Sequence, residues 1–233
     1  MLSKVNEYNI NYGTYAIQRY SKTNTFNIIQ DNMNGYLLVK DGENVYLFDY
    51  YLNRKYNFNR IKLKFNNKYF FKQIESFDQN NVKEANNIRK SALNYFKENE
   101  LSNSIIGIGG EYYIYFNFLN YDNYYGLSNH KSIVEDATYN FKKSKNYMVD
   151  YNKLTNYPIF EKSYTYDVII NVINIHENII KYICSYNIKN IVIITCVPLD
   201  KKIKMLNKYL KLKKITHIQN INSIISVCFF IKN

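Results

Sequence analysis

The residues of this chain whose types and spacing could bind a ligand form a glycine-rich turn after an apolar run. The sequence SIIGIG, at residues 104–109, is followed by another glycine and then by EYYIYFNFL. This order predicts a buried strand, a tight turn and a helix, which together present backbone N–H groups and a helix N-terminus to a nucleotide-like ligand. The candidate binding residues of the turn are Gly107, Gly109 and Gly110.

A second candidate site is the run KKIKMLNKYLKLKK at residues 201–214, which carries seven lysines. Helical spacing places Ile203, Leu206 and Leu210 on one apolar face and directs the lysines outward. Clustered lysines gain affinity for RNA by releasing counterions from its phosphates, whereas the alternative is an ordinary solvated helix. The candidate RNA-binding residues are Lys201, Lys202, Lys204, Lys208 and Lys211.

Composition and charge narrow the classes of protein to which the chain can belong. Its 233 residues carry a formal net charge of +12, which favours a polyanionic partner such as RNA. However, Lys, Asn, Ile and Tyr are also the residues that an A/T-rich genome, for example that of a large DNA virus, encodes most often. The three cysteines and three histidines have no metal-site spacing, so no metal is expected. With no signal-peptide pattern and no membrane-length apolar run, we expect a cytoplasmic protein.

The elements that must position these sites fall into two regions. Residues 1–77 contain short runs of β-branched and aromatic residues separated by Asn, Asp and Gly, with a hairpin signal at Asp41-Gly42. We expect them to form a small β-rich module whose Tyr and Phe side chains could stack on bases. Residues 79–98 change to helical spacing, so a boundary is predicted between a module at 1–77 and a domain at 78–233.

Strands and helices alternate from residue 100 onward. The runs IIGI, VIINVI and IVIIT are apolar throughout, as expected of parallel strands that are buried on both faces. The last two strand-like runs follow each other without an intervening helix and predict an antiparallel pair. The fold class is therefore expected to be α/β, with a doubly wound, mostly parallel sheet that ends in a C-terminal antiparallel hairpin.

Four segments of this region resemble the class I S-adenosylmethionine-dependent methyltransferases, and the pattern is similar to that of the RNA (uracil-5-)methyltransferase family. They are IIGIGGE at residues 105–111, YGLSNHKSIVEDATYN at 125–140, DVIINV at 167–172 and IVIITCVPLDKKIKML at 191–206. The resemblance covers about residues 90–233. It implies S-adenosylmethionine as the cofactor, RNA as the substrate and an accessory β module ahead of the catalytic domain.

The resemblance also implies roles for individual residues. The glycine turn would hold the cofactor, Ser128 would bond its ribose, and Asp150 would lie against its adenine amino group. Cys196 corresponds to the family's nucleophile, a thiolate that would add to a pyrimidine ring. The alternatives are a small buried apolar residue for Cys196 and a capping or turn aspartate for Asp150.

Several positions that carry charge or special chemistry in that family differ here. No acidic residue precedes the glycines, Glu111 stands where a small residue belongs, and Ser128 replaces a ribose-binding carboxylate. We therefore expect a degenerate, non-catalytic methyltransferase-like protein that acts as an RNA-binding or regulatory subunit with a protein partner. Two alternatives stay open: an active S-adenosylmethionine-dependent RNA methyltransferase, and a structural or assembly protein.

Overall fold

A seven-stranded sheet, a five-stranded sheet and a two-stranded hairpin make up the β-structure of the computed structural model, in the residues that it describes. Those residues are 15–19, 25–30, 35–41, 44–49, 54–56, 61–73, 76, 82–156, 160–173, 175–195, 200–219 and 224–233.

The five-stranded sheet is an antiparallel meander in which each strand pairs with the next one along the chain. Asp41 lies opposite Asn44, so the hairpin predicted near Asp41 does join two paired strands. The strands are β1 (Tyr15–Arg19), β2 (Thr25–Gln30), β3 (Gly35–Asp41), β4 (Asn44–Asp49) and β5 (Arg54–Tyr56).

The hairpin of β6 (Ile61–Phe65) and β7 (Lys68–Lys72) packs against the α/β region. Its turn residues Asn66 and Asn67 have φ values of 43° and 62°, the left-handed backbone that tight hairpin turns require. Leu63, Phe65 and Phe70 are buried in the same apolar cluster as residues of the seven-stranded sheet. The boundary predicted at residue 77 stays a prediction, but this hairpin shares its core with the domain that follows.

The α/β region has the predicted alternating order. The seven strands lie in the order β10-β9-β8-β11-β12-β14-β13; the first five are parallel, and β14 is antiparallel to both neighbours. The elements are α1 (Val82–Glu98), β8 (Ser104–Gly109), α2 (Tyr112–Phe116), β9 (Asn123–Ser128), α3 (Lys131–Asn140), β10 (Lys145–Met148), a 3-10 helix (Tyr151–Asn156), β11 (Thr165–Asn171), α4 (Glu177–Cys184), β12 (Asn187–Thr195), α5 (Asp200–Leu206), β13 (Leu210–Gln219) and β14 (Ile224–Lys232).

Two apolar layers cover the two faces of the sheet. Successive residues of a strand point to opposite faces, so Ile105 enters one layer while Ile106 and Ile108 enter the other. This arrangement confirms the doubly wound sheet with buried parallel strands. In the part of the chain that the structure describes, no helix combines the length and the apolar character that crossing a membrane requires.

The lysine-rich run does not form the single helix that its spacing suggested. Helix α5 ends at Leu206, and β13 begins at Leu210, which the prediction had placed on the helix. From Leu210 to Leu212 apolar residues alternate with Lys211, a period of two that suits a strand. Pairing with β14, which places Leu210 opposite Lys232, makes this segment the edge strand of the sheet.

Candidate functional site

The glycine turn lies where a ligand site is expected, at the carboxyl ends of parallel strands. Gly109 has a φ of 93°, and a Cβ there would clash with the carbonyl oxygen of Asn171, so only glycine fits. The Gly110 N–H donates a hydrogen bond of 2.8 Å to the same carbonyl oxygen. The turn is thereby fastened to β11, and this N–H group already has its acceptor.

Two other glycines make room for a tyrosine. A Cβ at Gly107 would collide with Tyr112 and Phe116, and a Cβ at Gly126 would collide with the ring of Tyr112. Tyr112 is fully buried, and its hydroxyl donates to Oδ1 of Asn146 at 3.2 Å. Gly107, a predicted cofactor residue, therefore contacts the apolar core next to the turn.

Glu111, the last residue of the turn, forms a buried ion pair with helix α1. Its φ of 57° is left-handed, and its Oε1 accepts a 2.7 Å hydrogen bond from Nη2 of Arg89. The two side chains are only 2% and 4% exposed. The Arg89 guanidinium also lies 5.8 Å from the ring centre of Phe65 on the hairpin. The bulk and charge of Glu111 are thus accommodated in the core.

A cavity of about 210 Å³ opens beside the turn. Gly109 and Gly110 line it, together with residues 129–130 after β9 and residues 171–173 at the end of β11. Ile133, Tyr151 and His176 complete the described lining, in which no residue is Asp, Glu, Lys or Arg. The volume is below the range of about 300–1,000 Å³ that small-molecule sites usually occupy.

Tyr151 supplies an unusual polar atom to this cavity. The residue is 7% exposed, and its buried hydroxyl has no hydrogen-bond partner in the described structure. Burial raises the pKa of Tyr151 to about 12, and the nearby Ser128 side chain and Asn129 backbone oppose this shift only in part. Leaving such a group unpaired costs about 1–3 kcal/mol, so this hydroxyl marks a place for a ligand atom or a water molecule.

The predicted ribose and adenine residues, Ser128 and Asp150, both make hydrogen bonds within the protein. Ser128 is fully buried, and its Oγ accepts the backbone N–H of His130 at 3.2 Å. Asp150 is exposed, and its Oδ1 accepts the N–H of Asn152 at 2.9 Å, which favours the capping alternative for this aspartate. Neither side chain is part of the described cavity lining.

The predicted nucleophile Cys196 lies outside the described residues. Cys184 is half-buried and Cys228 is fully buried, and burial raises the pKa of their thiols to about 11 and about 12. Such thiols are poor nucleophiles at neutral pH. Among the described residues, no group of three His, Cys, Asp or Glu side chains could hold a metal ion.

The structure distributes the predicted RNA-binding lysines over two elements. Lys204 and Lys208 are exposed on α5 and in the turn after it, and Lys211 is exposed on the edge strand β13. Nζ of Lys208 lies 4.0 Å from Oε1 of Glu177, so part of its charge is compensated. Lys202 is partly buried, and the side chain of Lys201 is outside the described part.

Of the ten described residues that line the cavity, sequence reasoning named only Gly109 and Gly110 as binding residues, and Tyr151 and His176 are among those that it missed. Their rings lie 6.4 Å apart between centres. Tyr151 follows β10, and His176 follows β11, so each comes after the carboxyl end of a parallel strand. That position was the available signal, because open α/β sheets bind ligands at this edge.

The described residues do not fit S-adenosylmethionine. The cofactor carries ribose hydroxyls and an ammonium group, for which a carboxylate is the strongest acceptor. The described part of the lining offers no carboxylate, the Gly110 N–H is bonded to Asn171, and the cavity is small.

Comparison with known proteins gives the fold. No protein-family model and no curated protein matches the sequence. The chain is similar to the tRNA (uracil-54, C5)-methyltransferase of Pyrococcus abyssi in complex with S-adenosyl-L-homocysteine, with 16% identity, a TM-score of 0.59, and coverage of 76% of this chain and 46% of that one. It is also similar to aTrm5 in complex with tRNALeu, with 16% identity, a TM-score of 0.56, and coverage of 80% and 56%.

A third similar structure is the magnesium protoporphyrin IX methyltransferase of Synechocystis PCC 6803 with bound SAM, at 10% identity, a TM-score of 0.52, and coverage of 65% and 81%. The chain has the class I methyltransferase fold. These similarities confirm the methyltransferase-like fold that the sequence predicted. At identities of 10% and 16%, they establish the fold alone. This methyltransferase-like chain spans about half the length of the first two structures.

Proposed function

We propose that this chain uses its methyltransferase fold as an RNA-binding or regulatory subunit and does not transfer methyl groups. One observation carries the proposal: polar groups of the glycine turn form hydrogen bonds to other residues of the protein. The Gly110 N–H bonds Asn171, and the carboxylate of Glu111 bonds Arg89. The N–H group that a nucleotide-type cofactor would use is thus already engaged, and the Glu111 side chain, which stands where a small residue belongs, is bonded in the core.

The proposed RNA partner is supported by charge and by the comparisons. The chain has a net charge of +12 and presents Lys204, Lys208 and Lys211 on exposed positions of neighbouring elements. Two of the similar structures are a tRNA methyltransferase and a complex with tRNA. A polyanion is the class of partner that such a surface attracts.

A calorimetric titration of the purified chain with S-adenosylmethionine tests the loss of catalysis. We expect no saturable heat, and no change in the melting temperature at millimolar cofactor. A ligand at one hundred times its Kd would stabilise the protein by about 2.7 kcal/mol, so a melting curve detects weak binding. Binding with a micromolar Kd contradicts the proposal. An active class I methyltransferase, titrated in parallel, controls for the quality of the cofactor.

Fluorescence anisotropy with a labelled single-stranded RNA, at several salt concentrations, tests the RNA partner. Replacing Lys204, Lys208 and Lys211 by glutamine should weaken binding and lower the slope of log K against log salt by about 2, at about 0.7 for each lost phosphate contact. A matched triple variant should leave the slope unchanged. It replaces the exposed lysines Lys90, Lys97 and Lys162. Equal effects of both variants would show only a general charge effect.

An active RNA methyltransferase is the second candidate, and the Tyr151 hydroxyl is the observation that favours it. A buried hydroxyl without a partner, beside the glycine turn, is where a ligand atom would bind. If the titration shows cofactor binding, Tyr151→Phe should weaken it, and methyl transfer to RNA should then be assayed directly. If neither cofactor nor RNA binds, the assembly-protein alternative gains support.

A further inference from the structure

A row of aromatic side chains crosses the outer surface of the β6–β7 hairpin and helix α3. Tyr69 is 52% exposed and Tyr139 is 54% exposed. Phe71 lies between them: it is two residues from Tyr69 on the same face of β7, about 6.8 Å along the strand. The ring centres of Phe71 and Tyr139 are 5.8 Å apart. We call Tyr69, Phe71 and Tyr139 the aromatic row.

Exposed rings are unusual in the part of the chain that the structure describes. Although the sequence has 26 tyrosines, the large hydrophobic residues exposed there are Tyr69, Tyr139, Met148 and Ile173. Both tyrosines of this set belong to the aromatic row. A codon bias explains why tyrosine is frequent, but it does not explain why the exposed rings gather at one place. Clustered exposed apolar side chains mark interaction sites.

The charge around the aromatic row has one sign. Residues 61–73 and 137–146, which form the hairpin and the end of α3 with the turn after it, contain seven lysines and no acidic residue. Nζ of Lys64 lies 5.7 Å from the centre of the Tyr69 ring, and Lys142 and Lys143 are exposed.

The two carboxylates on the adjoining part of α3 are engaged within the protein. Asp136 is fully buried and accepts the backbone N–H of Gln73. Glu135 accepts Nε2 of Gln73 and lies 3.7 Å from Nζ of Lys131. The field over the aromatic row is therefore positive and suits a polyanion.

The hairpin and the helix hold the aromatic row in a fixed arrangement. The Asn140 side chain accepts the backbone N–H of Phe71 at 2.7 Å and donates to its carbonyl oxygen. These two hydrogen bonds engage both the N–H and the carbonyl group of Phe71, in the way that a neighbouring strand would. Rings that are held in place before binding lose little entropy when a ligand stacks on them.

We propose that the aromatic row binds single-stranded RNA, stacking bases on its rings while the surrounding lysines contact phosphates. Every base has a π-face, so exposed rings beside lysines bind single strands with little sequence preference. The uniform positive charge favours RNA over a protein partner. This inference rests on the proposed RNA-binding function and assigns that function to a surface separate from α5 and β13.

Tyrosine variants that separate ring stacking from apolar contact test the proposal. The probes are a fluorescein-labelled 15-nucleotide oligouridylate, the corresponding oligoadenylate and a duplex RNA of equal length. Tyr69→Leu and Tyr139→Leu keep apolar bulk but remove the ring, and each should weaken single-strand binding at least about fivefold. Tyr69→Phe and Tyr139→Phe keep the ring and should bind within about twofold of the wild type. Met148→Ser, at another exposed apolar residue, is the control and should bind normally.

The outcomes distinguish this proposal from the broader one. If the leucine variants bind single strands as well as the wild type, or if duplex RNA is bound equally tightly, the aromatic row is not a stacking surface. If the triple variant of Lys204, Lys208 and Lys211 then still weakens binding, the proposed function stands and this inference alone fails. Wild-type protein that binds no RNA refutes both. Lys142→Gln with Lys143→Gln supplies an independent test that leaves the rings intact, and should lower the salt slope by about 1.4.

Discussion

The buried ion pair between Arg89 and Glu111 should behave as one unit, so that removing one partner costs more than removing both. The two charged atoms are 2.7 Å apart, and the side chains are 4% and 2% exposed. Arg89→Met removes the guanidinium that bonds the buried Glu111 carboxylate, and losses of about 3–5 kcal/mol are expected for such a change. For a chain of this size that corresponds to a fall in melting temperature of roughly 6–20 °C.

Glu111→Gly should cost less than Arg89→Met, although it breaks the same pair. It removes the carboxylate that Nη2 of Arg89 bonds, but it relieves a left-handed backbone with a φ of 57°, which is worth about 1 kcal/mol. The net loss should be about 2–4 kcal/mol. The double variant carries neither charge and should unfold within about 1 kcal/mol of the wild type, a coupling of at least about 4 kcal/mol.

Urea unfolding followed by circular dichroism measures these free energies, with the m-value as a check that the transition is unchanged. Lys131→Met is the control, because its pair with Glu135 is exposed and is worth at most a few tenths of a kcal/mol. The reasoning is refuted if Arg89→Met costs less than about 1 kcal/mol, or if the two single losses add up in the double variant.

Three further predictions concern other parts of the α/β region. Gly126→Ala should cost about 1–3 kcal/mol in urea unfolding because its Cβ meets the Tyr112 ring, and Tyr112→Leu should recover part of that loss. Asp136→Ala should speed amide hydrogen exchange at Gln73, whose N–H it accepts, while the central strands stay protected. Burial raises the pKa of Cys228 from 9.0 to about 12, so native protein should resist thiol reagents at pH 8. Between pH 9 and pH 12 only the unfolded thiol ionises, so Cys228 should lower the free energy of unfolding as the pH rises through this range. Cys228→Ala should remove this pH dependence.

The sequence was sufficient to predict the α/β sheet because its strands are recognisable one at a time. Ser104–Gly109 and Thr165–Asn171 are apolar runs bounded by polar residues, and runs of this kind form parallel strands that are covered on both faces. The prediction failed at Leu210, where apolar residues spaced three or four apart also alternate with lysines. Pairing with β14 stabilises the strand at this segment, and the local sequence pattern does not show which partner strand is available.

The site was less predictable because its contacts join residues that are distant in sequence. Arg89 and Glu111 are 22 positions apart, and Gln73 and Asp136 are 63 apart. A glycine pattern shows that something must approach the backbone closely, but it does not show what approaches. At Gly126 the group that approaches is the ring of Tyr112, and a bound cofactor would equally have required a glycine at this position.

The same internal contacts would stabilise the glycine turn in the absence of a bound cofactor. A turn that waits for a ligand keeps N–H groups and carboxylates without protein partners, at about 1–3 kcal/mol for each buried group. Here Asn171 satisfies the Gly110 N–H, and Arg89 satisfies Glu111. Each contact stabilises the turn in the absence of a ligand and would compete with one, so we expect that one substitution does not create a binding site. Glu111→Gly would shorten the side chain but leave Gly110 bonded to Asn171, and it should therefore fail to create cofactor binding.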